Sequence, residues 1–137
     1  MIHHLAIEVR PDQMAAEGEF WRAAGFERVP APEALGPGYD WYENGGTQIH
    51  LMETAEPTEP PARGHVAIVA REIGAAIERL EAGGFEVREG RRLWGERRIK
   101  TVTPSGQVVE LMAAPPVSGS DDRTTGDAGR PADGSDI

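Results

Sequence analysis

A chain of 137 residues suits one compact domain that can bury a real core without staples. The absence of cysteine excludes a disulfide framework, thiolate catalysis, iron–sulfur clusters and zinc–thiolate sites, so any metal must be held by nitrogen and oxygen. A net charge of -9 argues against a phosphate-backbone binder, and no apolar run approaches the roughly 20 residues that cross a bilayer.

The chain enters a strand pattern at once, without a basic region or an apolar leader. A cytoplasmic protein is therefore expected, with a small-molecule substrate and no nucleic-acid or membrane partner. Residues 4 to 9 alternate, with Leu5, Ile7 and Val9 on one side and His4, Ala6 and Glu8 on the other. Pro11-Asp12 ends that strand, after which Met14, Phe20, Trp21 and Ala24 mark one face of a helix closed by Gly25. A Pro/Gly-rich loop covers 30 to 38. Residues 39 to 43 and 47 to 53 then read as a hairpin around Asn44-Gly45-Gly46. Pro57, Pro60 and Pro61 make 56 to 64 an extended linker.

The second half opens at His65, where Val66 and Ile68 alternate with His65, Ala67 and Val69. Ile73, Ile77 and Leu80 predict a second amphipathic helix that stops at Gly83-Gly84. Strands follow at 85 to 88, 97 to 103 and 108 to 112, the last two joined by a turn at Pro104-Ser105-Gly106. From 115 to 137 almost no apolar side chain remains to offset the entropy of ordering, and a disordered acidic tail is expected.

Three segments occur twice in the same order, roughly 60 residues apart. His4-Leu5-Ala6-Ile7 returns as His65-Val66-Ala67-Ile68, Ala24-Gly25-Phe26-Glu27 as Gly83-Gly84-Phe85-Glu86, and Ile49-His50-Leu51-Met52 as Val109-Glu110-Leu111-Met112. The chain is a duplicated module: residues 1 to 55 form one copy and 65 to 114 the other, packed as one domain.

The repeat carries chemistry as well as architecture. His4, His50, His65 and Glu110 occupy related positions, and strand parity sets each of them opposite the greasiest face of its strand. If the copies pack about a pseudo-twofold axis, the four side chains converge. Imidazole and carboxylate donors suit divalent Fe, Mn, Ni, Co or Zn. A lone strand histidine is more often an ordinary hydrogen-bonded group, which is the reading for His3. Glu8 has Val69 as its repeat partner and reads as a solvated charge.

A second feature is a basic stretch, with Arg88, Arg91, Arg92, Arg97, Arg98 and Lys100 against Glu89 and Glu96. A solvated hairpin face is the plain reading. The functional one is an anion clamp, because arginine grips carboxylate or phosphate bidentately. Candidate substrate-binding residues are Gln48, Trp41, Trp94, Arg97 and Arg98, with Trp94 able to cover a planar group.

At these residues the chain resembles the vicinal oxygen chelate superfamily, which includes glyoxalase I, methylmalonyl-CoA epimerase, extradiol dioxygenases and the bleomycin and fosfomycin resistance proteins. The resemblance spans residues 2 to 113 and rests on His4, Phe20-Trp21, Gly25-Phe26, Gln48-Ile49-His50-Leu51, Gly64-His65-Val66-Ala67-Ile68, Thr103-Pro104-Ser105-Gly106 and Val109-Glu110-Leu111. It implies an α+β fold of two tandem βαβββ modules forming a curved mixed β-sheet with helices on the outside, a divalent metal ion, and commonly a homodimer that sometimes builds its site across the two copies. His4, His65 and Glu110 match the most widespread ligand positions. His50 stands where glyoxalase I has a glutamate that serves as ligand and base, so the ordinary glyoxalase I mechanism does not carry over directly.

The expectation is a metal-dependent lyase, isomerase or dioxygenase that chelates vicinal oxygens of a small anionic substrate. His4, His50, His65 and Glu110 would hold the metal, and Glu110 and His50 are the candidate catalytic residues. The alternative is a metal-free drug- or metabolite-binding protein of the bleomycin-resistance type, with Trp41, Trp94 and Tyr39 as stacking residues. A dimerising module with remnant histidines is a third possibility.

Overall fold

The computed structural model describes residues 1–115. Apart from its first residue, the expected acidic tail lies outside them. The first copy runs β1 (His4–Val9), α1 (Met14–Ala23), β2 (Glu27–Val29), β3 (Tyr39–Asn44) and β4 (Thr47–Glu53). The second runs β5 (His65–Val69), α2 (Ile73–Ala82), β6 (Arg88–Glu89), β7 (Arg98–Val102) and β8 (Val108–Met112). Each is a βαβββ module. The short β2 carries no alternating apolar signal and is held as a strand by its pairing with β3.

Both helices stop in the same way. The N–H of Phe26 donates to Trp21 O at 2.9 Å, and that of Phe85 to Leu80 O at 2.9 Å, across glycines with φ of 105° at Gly25 and 82° at Gly84. The repeated Gly-Phe element is thus a helix stop that returns an aromatic ring to the core. Gly45 and Gly46 both take positive φ between the paired Asn44 and Thr47, the two-residue turn that matches strand twist.

The strands form two four-stranded sheets, ordered β1-β4-β3-β2 and β5-β8-β7-β6. β1 runs parallel to β4, β5 runs parallel to β8, and the other pairs are antiparallel. The α+β class and the paired modules are as the resemblance implies; the curved sheet takes the form of two half-sheets. Consequently β1 and β5, which start with His4 and His65, each have one strand neighbour and one open edge.

The modules meet through their helices. Phe20 packs edge-on against Phe85 with ring centroids 5.2 Å apart, and Arg79 Nε donates to Ala23 O at 3.0 Å. The core is continuous across both copies, from Ile7, Val9, Phe20, Trp21, Ile49 and Leu51 to Ile77, Leu80, Ile99, Val109 and Leu111. Glu17 is wholly buried on the inner face of α1, where it accepts from Trp21 Nε1 at 3.2 Å and from the Ser105 N–H at 2.9 Å. The second bond ties the first module to the turn before β8. Glu17 lies between Met14 and Trp21 along α1, a carboxylate set in the apolar stripe.

Candidate metal and substrate site

Register decides which side chains meet. In the first sheet, Trp41 pairs with His50 and His4 with Gln48, so these residues share the face that the helix does not cover. His50 lies sandwiched there, its ring stacked on Trp41 at 3.8 Å and on His4 at 4.1 Å. Its Nε2 sits 2.8 Å from Gln48 Oε1. Gln48 therefore fixes which ring nitrogen keeps its lone pair. Burial pushes the His50 pKa below the ordinary histidine value, with His4 and then His3 adding to the effect. His3 contacts His4, Nδ1 to Nδ1, at 3.0 Å, and the exposed Glu8 accepts from the linker's Thr58 N–H at 2.6 Å.

In the second sheet His65 pairs with Val108 and Ala67 with Glu110, which puts His65 and Glu110 on one face. His65 Nε2 lies 3.2 Å from Glu110 Oε2, while Arg98 Nε holds the other carboxylate oxygen at 2.9 Å. Arg98 also donates to Arg91 O at 3.1 Å. Glu110 is buried and His65 is more exposed at its strand edge.

The four candidate ligands thus form two pairs, one on each sheet, and do not meet at one point within the chain. Among the described residues no three His, Asp or Glu side chains are grouped so as to hold a metal ion. The cause is the packing: the modules join through α1 and α2, and β1 and β5 are left as separate edges.

The substrate candidates divide as well. Gln48 and Trp41 contact His50 directly, and Arg98 contacts Glu110. Arg97 instead pairs with Glu89, and that bond raises the Arg97 pKa and lowers that of Glu89. Trp94 sits in the turn between the bridged Leu93 and Glu96 with φ of 57°. Neither is joined to the four ligand candidates by a hydrogen bond or stacking contact in the structure.

A paired-module α+β architecture with histidine and carboxylate on the uncovered faces of its sheets defines a glyoxalase-type fold. The chain belongs to the Glyoxalase/Bleomycin resistance protein/Dioxygenase superfamily, whose model matches residues 2–111. Solved structures agree on the fold. A Bacillus anthracis protein described as of the glyoxalase family superposes with a TM-score of 0.71 at 24% identity, over 82% of this chain and 93% of its own. A point mutant of the fosfomycin resistance protein FosX from Listeria monocytogenes, complexed with Mn(II) and 1S,2S-dihydroxypropylphosphonic acid, gives 0.66 at 22% identity, over 84% and 90%. Lactoylglutathione lyase from Agrobacterium tumefaciens gives 0.59 at 21%, over 82% and 92%. Comparison with curated proteins returns no match.

Proposed function

We propose that the protein is a divalent-metal-dependent lyase, isomerase or dioxygenase acting on a small substrate with neighbouring oxygens. In this reading its site is assembled from two copies of the chain. The observation that carries it is the pairing of His4 with His50 and of His65 with Glu110 at repeat-related positions on uncovered faces.

The donor chemistry fits such an ion. One half offers two imidazoles, of which His50 is kept neutral by burial; the other offers an imidazole beside a carboxylate. Each half alone is short of the four or more donors a divalent ion takes. The open edges of β1 and β5 allow a twofold-related copy to bring the first half of one chain to the second half of the other, generating two equal sites. A metal held there would supply Lewis acidity to adjacent substrate oxygens. Arg98 keeps the Glu110 carboxylate oriented. With Nε2 held by Gln48 Oε1, the one lone pair of His50 lies on Nδ1, so the ring serves either as a ligand or as a proton acceptor and not as both at once. Trp41 fixes the plane of its ring and shields one side from water.

Metal analysis of the native protein and of two variants tests the reading. His50→Ala and His65→Ala should each lose metal alone. When the two are unfolded and refolded together, about a quarter of the sites should recover, since random pairing gives half heterodimers with one intact site each. A mixture that recovers nothing excludes the shared site. Native protein that retains no divalent metal after reconstitution excludes the metal reading altogether.

A further inference from the structure

The uncovered face of the second sheet holds a cavity of about 330 Å³, whose lining includes Arg88, Arg98, Lys100 and Val108 together with Glu86 and Glu89. That volume suits a small molecule. Lys100 pairs across the sheet with Glu110 on one side and with Arg88 on the other, so all three stand on the face that bears His65.

The charges around this cavity are not equivalent. Arg98 is committed to Glu110, and Arg97 and Arg88 are paired with Glu89 and Glu86. Lys100 is half-buried, and among the described residues no carboxylate lies within ion-pair distance of its ammonium. A partly desolvated cation without a counterion is unfavourable unless a ligand supplies one. Arg88 can join it at little cost, because its pair with Glu86 is exposed on both sides and such pairs contribute little.

We propose that Lys100, seconded by Arg88, seats the anionic group of the substrate, an oxyanion of the phosphate, phosphonate or carboxylate class. Its position beside the reacting oxygens rests on the proposed function, since cross-strand neighbours place Lys100 about 5 Å from Glu110. A short molecule whose oxyanion lies only a few atoms from its chelating oxygens satisfies both positions. In a chain of net charge -9, this local cation overcomes the general repulsion of anions.

The test is calorimetric titration of the full chain in excess chelator with inorganic phosphate, methylphosphonate and acetate, and with methylammonium as the cationic control. The three arms rank the oxyanion classes. Lys100→Gln should weaken oxyanion binding about tenfold or more and Arg88→Gln less, while Lys100→Arg retains it. In the native chain, bound oxyanion should shift the backbone resonances of Lys100, Thr101 and Val102 and leave those of β1 and β4 in place, a readout that needs no variant to fold. Binding unchanged by Lys100→Gln, shifts confined to other residues, or no binding of any oxyanion overturns the proposal. Because no metal is present, its failure is separate from that of the metal reading, which the metal content of His50→Ala and His65→Ala decides.

Discussion

Replacing Arg98 with Met removes the guanidinium that holds Glu110 and keeps most of the side-chain volume. The Arg98 and Glu110 side chains are only 13% and 8% exposed, and their contact is 2.9 Å. Removing one partner of a buried pair typically costs about 3 to 5 kcal/mol, because the remaining charge stays desolvated. Solvent entering beside the partly exposed His65 takes up part of the deficit. The expected loss is therefore about 2 to 3 kcal/mol. For a folded unit of this size that is a fall in Tm of roughly 10 °C. Urea unfolding followed by circular dichroism in chelator gives the free energy. The double variant Arg98→Met, Glu110→Leu removes the stranded charge and should regain most of the loss. A single variant within about 0.5 kcal/mol of the native chain, or a double variant no more stable than the single, would refute the claim that this pair anchors the second half-site.

Glu17→Gln should destabilise the chain by about 1 to 3 kcal/mol, since an amide cannot accept from both the Trp21 Nε1–H and the Ser105 N–H. Urea midpoints measure it, and an unchanged midpoint rejects Glu17 as the tie between modules. His50 titrates below its usual value of about 6.5 in the folded chain, so the unfolded chain takes up the proton first. Its neutral form is accommodated above that pH, and stability falls as pH drops through it. In chelator, His50→Gln should flatten the loss of stability between about pH 7.5 and pH 5; parallel curves for the two proteins reject the assignment.

The sequence by itself carried the duplication, and with it much of the fold. Alternation at Leu5, Ile7 and Val9 and its echo at Val66 and Ile68 mark the strands that open each copy, because a half-buried strand can have no other period. Gly25-Phe26 and Gly84-Phe85 mark the helix stops, where a positive φ favours glycine. Parity alone set His4, His50, His65 and Glu110 each opposite the greasiest face of its strand; their division into His4 with His50 and His65 with Glu110 came from strand register. β2 was not legible, since three residues without an apolar pattern become a strand only through pairing with β3. Nor was the burial of Glu17, whose two donors come from residues 4 and 88 positions away along the chain.

What the tertiary structure decided is how the two copies face one another. Repetition predicts two pairs of equivalent positions but is silent on whether the modules join by strand edges or by helices. Packing through α1 and α2 leaves two half-sites and keeps β1 and β5 as open edges. It also sorts the basic stretch: Arg97 and Arg98 are spent on Glu89 and Glu110, and Lys100 is left facing the cavity. Local pattern sets which face of a strand a side chain occupies; only long-range packing sets what lies across from it.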